Sequence, residues 1–194
     1  MRELTGPDAP PIEQILLEHF NPIILKIRAC AKPVIASVNG VAAGAGANIA
    51  LACDVVLASE RASFIQAFTK IGLIPDSGGT WMLPRIVGFQ KASALMMTGD
   101  KLSAWDAERL GMVYRVVGHD ELAEATGRLA EQLAQMPTKA LALTKRALEL
   151  GARQTLEQQL ATEDALQRIA AATADYREGV AAFVGKRAPK FVGA

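Results

Sequence analysis

Between Val34 and Ser59 the chain reads VIASVNGVAAGAGANIALACDVVLAS, and no other stretch restricts the fold as much. The segment ANIALAC is small and apolar on nearly every side, and a helix without a polar face has to be enclosed. Val34, Ile35 and Val38 favour a short buried strand ahead of it, closed by the turn pair Asn39-Gly40. Behind Asp54, VVLAS favours a second buried strand. Strand, turn, buried helix and strand in close succession predict the centre of an α/β core, with parallel pairing and right-handed crossovers.

The rest of the chain divides around this segment. Residues 1–12 read as a loop, with Gly6, Pro7, Pro10 and Pro11 close together. Helical spacing runs from Ile12 to about Ala29, and Pro22 is expected to kink or restart it. A short strand at Ala62–Phe64 is a weaker option. IGLIPDSGGTWMLPRIVG is dense in Gly and Pro and predicts loop, with a helix from about Thr80. A helix follows over Gln90–Thr98, Ser103 is placed to cap another, and MVYRVV is the last strand. From Asp120 the pattern is purely helical: Leu122 to Met136, then Leu141 and Leu148, then Leu156, Leu160 and Ile169. The expected division is an α/β part, residues 1–119, followed by a helical part, residues 120–194. About three strands are convincing. So narrow a sheet leaves edges bare, so strands outside this sequence or another subunit are expected to cover them.

Composition excludes several classes. With 51% hydrophobic residues the 194-residue chain has the material for a packed core, which a disordered tail lacks. Its apolar runs are broken well before the roughly 20 residues of a membrane span. With 21 basic and 20 acidic side chains there is no electrostatic case for nucleic-acid binding. Cys30 and Cys53 lack metal or dithiol spacing and read as reduced core thiols, and no metal site is expected. His19 and His119 stand near no nucleophile motif. The polar, Pro-rich start does not read as a signal peptide, so a cytoplasmic location is expected.

Two motifs carry chemistry. Gly44-Ala45-Gly46 opens the buried helix, where backbone N–H groups point outward and the helix end adds positive partial charge. Such a turn suits an anion or a developing oxyanion. A dinucleotide site would need a third glycine where Ile49 stands. Tight packing of small residues is the remaining alternative. The second motif is Ile74-Pro75-Asp76-Ser77-Gly78-Gly79. Locally it is turn sequence, and Asp76 can be a plain turn residue. It can equally be a carboxylate at the edge of an apolar pocket beside Phe64, Phe68, Ile74 and Trp81, where desolvation would raise its pKa and make it a better proton acceptor.

Taken in order, VNGVAAGAGANIALACD, SFIQAFTKIGLIPDSGGTWMLPRIVG, MTGDKLSAWDAERLGMVYRVV and the closing ADYREGVAAFVGKRAPKFVGA resemble the enoyl-CoA hydratase/isomerase (crotonase) family. The resemblance implies a crotonase-like ββα superhelix core and an α-helical C-terminal oligomerisation region. It implies acyl-CoA thioester substrates, with coenzyme A part of the substrate and no separate cofactor. Ala45, shaped by Gly44 and Gly46, is then an oxyanion-hole N–H for the thioester oxygen, and Asp76 the carboxylate that moves the proton. Leu25, Ile65 and Phe68 become acyl-pocket walls. Phe183 and Lys186 become coenzyme A contacts. The two glutamates of the family's hydratases fall on Asn48 and Phe68, which argues for an isomerase over a hydratase. The resemblance further implies a homo-oligomer, a trimer or a dimer of trimers. Family members open with strands ending in an Ala-Gly-x-Asp-Leu type motif that supplies the second oxyanion N–H. Met1-Arg2-Glu3-Leu4 falls about where that motif ends, so an N-terminally truncated core is expected.

Overall fold

In the computed structural model, which describes residues 10–194, the strands come in consecutive pairs that part company. β1 (Ile35–Val38) turns at Asn39-Gly40 directly into β2 (Val41–Ala43), and α3 (Ala45–Ala52) follows. β3 (Val55–Ser59) turns into β4 (Ser63–Ile65) in the same way. The first strand of each pair joins one sheet and the second joins another. β3 lies parallel to β1, with Ile35 opposite Val55, and β4 parallel to β2, with Val41 opposite Ser63. Successive ββα turns therefore stack into a superhelix. β6 (Arg115–Val117) completes the first sheet in the order β1-β3-β6, again parallel. β5 (Lys101–Ser103) completes the second in the order β2-β4-β5, but runs antiparallel to β4.

The chain thus has six strands among the described residues, twice the number its sequence makes convincing. β2 and β5 escape detection because three residues show no periodicity and Val-Ala-Ala and Lys-Leu-Ser carry little strand propensity. The antiparallel β5 also departs from the all-parallel expectation.

α3 lies in the core as its composition requires. Ala47, Asn48 and Ala52 are fully buried, and Ala50 and Leu51 nearly so. They pack with Val56, Ala58, Phe64, Met82, Leu83 and Met96. The N-terminal helical run is α1 (Ile12–Ile15), a π-helical stretch Leu16–Phe20, and α2 (Asn21–Ala29). Pro22 does not restart the helix: the run is helical without a break from Ile12 to Ala29, and the proline follows directly on the π-helical turn. α4 (Gly79–Val87) begins one residue before the expected Thr80 and carries Pro84 inside it. There Arg85 lies over the Trp81 ring at 4.2 Å and donates to Trp81 O at 2.7 Å. α5 (Phe89–Thr98) follows between Gly88 and Gly99, both at positive φ. α6 (Ala104–Arg109) has the predicted cap, Ser103 Oγ accepting from Asp106 N at 3.1 Å. The two cysteines form no disulfide and are only half-buried, so neither is the core thiol expected.

The structure divides into two compact units. The first comprises the described residues through Ala29 together with Val34–Ala125; the second comprises Cys30–Pro33 and Thr126–Ala194. The division falls inside α7 (Leu122–Ala134), not at residue 119. The second unit contains α8 (Thr138–Gly151), α9 (Leu156–Ala171) and α10 (Ala174–Val184). Thr155 and Gln158 form a reciprocal capping box at the start of α9. The tail after α10 folds back along it. Asp175 accepts the N–H groups of Val192 at 2.7 Å and Gly193 at 2.8 Å. Glu178 pairs with both terminal nitrogens of Arg187 at 2.6 and 2.7 Å and accepts Lys190 N–H at 2.8 Å. These bonds, led by that from Arg187, hold the Glu178 carboxyl down at about 2. Several of the periodic apolar positions that mark these helices are exposed: Leu148 is 71% exposed, Leu156 70% and Leu160 56%. Helical spacing shows that a face is apolar, not what covers it. No helix among the described residues is long and apolar enough to cross a membrane.

Candidate active site

Gly44 caps α3 with φ 55° and ψ −125°, a conformation open to glycine. Its N–H is committed to Ile65 O at 2.8 Å, which ties the turn to the end of β4. Its carbonyl accepts from Ala47 N at 3.1 Å and Asn48 N at 3.2 Å. Ala45 and Gly46 are the helix's first two amides, with no carbonyl one turn behind them in the helix. Gly46 is exposed and Ala45 half-buried, so this turn reaches the surface. The Phe68 ring lies against it, 3.6 Å from where a Gly44 Cβ would be. Ile65 and Phe68 are thus both brought to the glycine turn.

Asp76 lies in a turn whose next two residues are left-handed, Ser77 at φ 51° and Gly78 at φ 74°. Ser77, 2% exposed, donates its hydroxyl to Asp76 Oδ1 at 2.8 Å. Asp76 Oδ2 takes no hydrogen bond among the described residues, and the side chain is half-exposed. The Asp76 carbonyl accepts Gly79 N–H at 2.9 Å and the Asn48 side-chain amide at 2.9 Å. Since Asn48 stands one turn into α3, that last bond joins the glycine turn and the aspartate turn directly. Asn48 Oδ1 in turn accepts from Gln66 Nε2 at 2.8 Å, inside the core.

Other expected positions fall elsewhere. Leu25 is 68% exposed on α2; its neighbour Ile24 is the α2 residue that reaches the aspartate turn, 3.8 Å from where a Gly78 Cβ would lie. Ile74 is 80% exposed, so it does not wall Asp76 into an apolar pocket within this chain, whereas Phe64 is core at 2%. Phe183 and Lys186 lie in the second unit at the end of α10. Phe183 is 86% exposed and borders a groove of about 560 Å³ with Tyr176, Val180 and Phe191. Lys186 takes φ 50° and donates its N–H to Phe183 O at 3.2 Å. The roles of Gln66, Ser77 and Gly79 are not legible in the sequence. The doubled Gly78-Gly79 is the one signal, since a second glycine exceeds what the turn alone demands.

The chain is similar to known proteins over nearly its whole length. Residues 7–194 match the family model described as enoyl-CoA hydratase/isomerase. The chain is 47% identical over 189 residues to a 1,2-epoxyphenylacetyl-CoA isomerase of Escherichia coli (strain K12), covering 97% of this chain and 72% of that protein. It is 45% identical over 182 residues to a Rhodobacter capsulatus protein bearing the name probable enoyl-CoA hydratase, covering 94% of this chain and 71% of that one. Among solved structures, an enoyl-CoA hydratase from Bacillus anthracis superposes with a TM-score of 0.95 at 32% identity, over 100% of this chain and 75% of that one.

Proposed function

This chain belongs to the enoyl-CoA hydratase/isomerase family, and within it we propose an isomerase that moves a proton along the acyl group of a coenzyme A thioester. The fold is that of the crotonases, the family's substrates are acyl-CoA thioesters, and the chain is an enzyme of that family. The observation that carries the isomerase reading is that Asp76 is the acid–base group brought to the glycine turn among the described residues. Asp76 carries a carboxylate oxygen without a hydrogen-bond partner among the described residues, and its turn is tied to the first turn of α3 through Asn48.

In this reading the thioester oxygen sits against the Ala45 N–H, with Gly44 and Gly46 leaving the approach clear. Asp76 takes a proton from the carbon that lies between the thioester carbonyl and the double bond. The electron pair moves into the carbonyl, and the enolate oxygen is stabilised by the amide and the helix end. Asp76, now protonated, returns the proton to a different carbon, and the double bond moves. Proton and electron pair both balance, so the step calls for no cofactor beyond the coenzyme A of the substrate. Hydration would need a second acid–base group to activate and deliver water. At the two places where the family's hydratases carry glutamate stand Asn48 and Phe68, both buried.

The finer assignment is a ring-epoxide isomerase acting on 1,2-epoxyphenylacetyl-CoA, supported by the 47% identity to the protein of that name. A Δ3,Δ2-enoyl-CoA isomerase is the second reading, supported by the same carboxylate. Phe183 and Lys186 are assigned to coenzyme A, the ring against the base and the ammonium toward a phosphate. The exposed apolar positions of α8 and α9 support a homo-oligomer, a trimer or a dimer of trimers.

The test follows conversion of a 3-enoyl-CoA to its conjugated 2-enoyl product by absorbance. Asp76→Asn should lose about 10²- to 10⁴-fold in kcat while melting at the same temperature. Undiminished turnover in that variant would remove Asp76 from the mechanism and favour a chain that binds acyl-CoA without this chemistry.

A further inference from the structure

Asn48 is fully buried, and its amide is used at both ends. Nδ2 donates to Asp76 O at 2.9 Å, and Oδ1 accepts from Gln66 Nε2 at 2.8 Å. Gln66 is itself 4% exposed, so the pair forms a buried amide chain from the end of β4 to the aspartate turn. Gly79 closes on the same amide. A Cβ at Gly79 would lie 2.6 Å from Asn48 Cγ and 2.7 Å from Oδ1, and closer still to Nδ2. Real side chains do not approach so closely, so only glycine lets the turn seat on Asn48. The turn also holds Ser77 and Gly78 in left-handed conformations, which for a serine is strained and persists only where the surroundings enforce it.

We propose that Asn48, oriented by Gln66, is a positioning residue for the isomerisation: it clamps the Asp76 carbonyl and so aims the carboxylate. The inference rests on Asp76 being the proton-transferring group. Residue type decides the clamp. An ionised carboxylate at position 48 has no proton to donate and would set an acceptor against the Asp76 carbonyl. An amide there secures Asp76 and gives up a second acid–base group in the same turn of α3. The choice at this position therefore selects a single-carboxylate proton shuttle over water addition.

The test separates positioning from packing with Asn48→Ala, Gly79→Ala, the two combined, and Asp76→Asn as reference. Gly79→Ala alone should melt at a lower temperature, because its methyl collides with the Asn48 amide. Adding Asn48→Ala removes the collision and should return the melting temperature to that of Asn48→Ala alone. Turnover should not return: kcat should stay down by about 10²-fold with KM within about twofold, as expected when a reacting group is held about an ångström out of place. Hydrogen exchange of the Gly79 amide, bonded to Asp76 O, should be faster in every variant lacking Asn48. Full kcat in the stability-rescued double variant overturns the inference. An inactive unaltered chain, or an active Asp76→Asn, overturns the isomerase reading instead. In that event the exchange still decides the clamp: faster exchange in Asn48→Ala upholds it, and unchanged exchange overturns it.

Discussion

The two units differ most in what they enclose: the buried apolar core and a cluster of buried polar groups lie in the first, whereas the second encloses little beyond Ala182, Lys145 and Asp175. In the first, polar groups turn inward: Asn48, Ser59, Ser63, Gln66 and Ser77 are all 4% exposed or less, and three of them serve the aspartate turn or its clamp. In the second, large apolar groups turn outward: Leu148, Leu156, Leu160, Phe183 and Val184 are all more than half exposed. A buried amide has to find its partner to within a few tenths of an ångström, so it specifies one geometry. An exposed apolar face specifies only that something should cover it. The buried polar cluster of the first unit therefore specifies one geometry, while the exposed apolar faces of the second leave their cover unspecified.

That contrast can be broken by experiment. The largest stability effect should come from truncating the first core: Leu83→Ala, at a fully buried position, should cost about 2–5 kcal/mol by denaturant titration. Leu148→Ala, the same change at a 71% exposed position, should shift stability by no more than about 0.5 kcal/mol. If the outward faces serve assembly, Leu148→Asp should lower the mass seen by sedimentation without lowering the melting temperature of the separated chain. Similar costs for Leu83→Ala and Leu148→Ala would erase the distinction between the units.

Smaller effects sharpen it. Thr155→Ala removes the capping box of α9 and should cost about 1 kcal/mol, visible by denaturant titration. The smallest effect should be acid loosening of the C-terminal tail. The Glu178 carboxyl is held at about 2, below its ordinary 4.5, first by Arg187 and then by the Lys190 amide. A depressed carboxyl contributes its hold fully above the unfolded value and loses it as pH falls through the folded one. Exchange protection of the Lys190 amide should therefore persist at pH 5 and fall away as pH approaches 2. Glu178→Gln should show the weakened hold already at pH 5. Protection of the Gly79 amide in the first unit should not follow that titration.

Local features were legible in the sequence. The Ser103 cap, the helical run up to Ala29 and the enclosed helix at Ala45–Ala52 each depend on residues within a turn or two of one another. The glycine and aspartate turns were also visible as motifs, and the family resemblance assigned them roles. What was not legible was short or distant. β2 and β5 are three residues each and owe their strand geometry to the neighbours they pair with. The apolar positions that mark α8 and α9 in the sequence are largely exposed, because periodicity records a face and not its partner.

The sequence by itself determined that a helix apolar on every side must lie inside an α/β core, that glycine opens it, and that the chain ends in helices. Those conclusions rest on local spacing and on the cost of exposing or burying particular side chains. The tertiary structure alone decided that Asn48, Gln66, Asp76 and Gly79 meet. The Asn48–Asp76 bond spans 28 positions and the Gln66–Asn48 bond 18. Those separations close only because successive ββα turns stack in register, and nothing local to any of the four residues encodes that stacking.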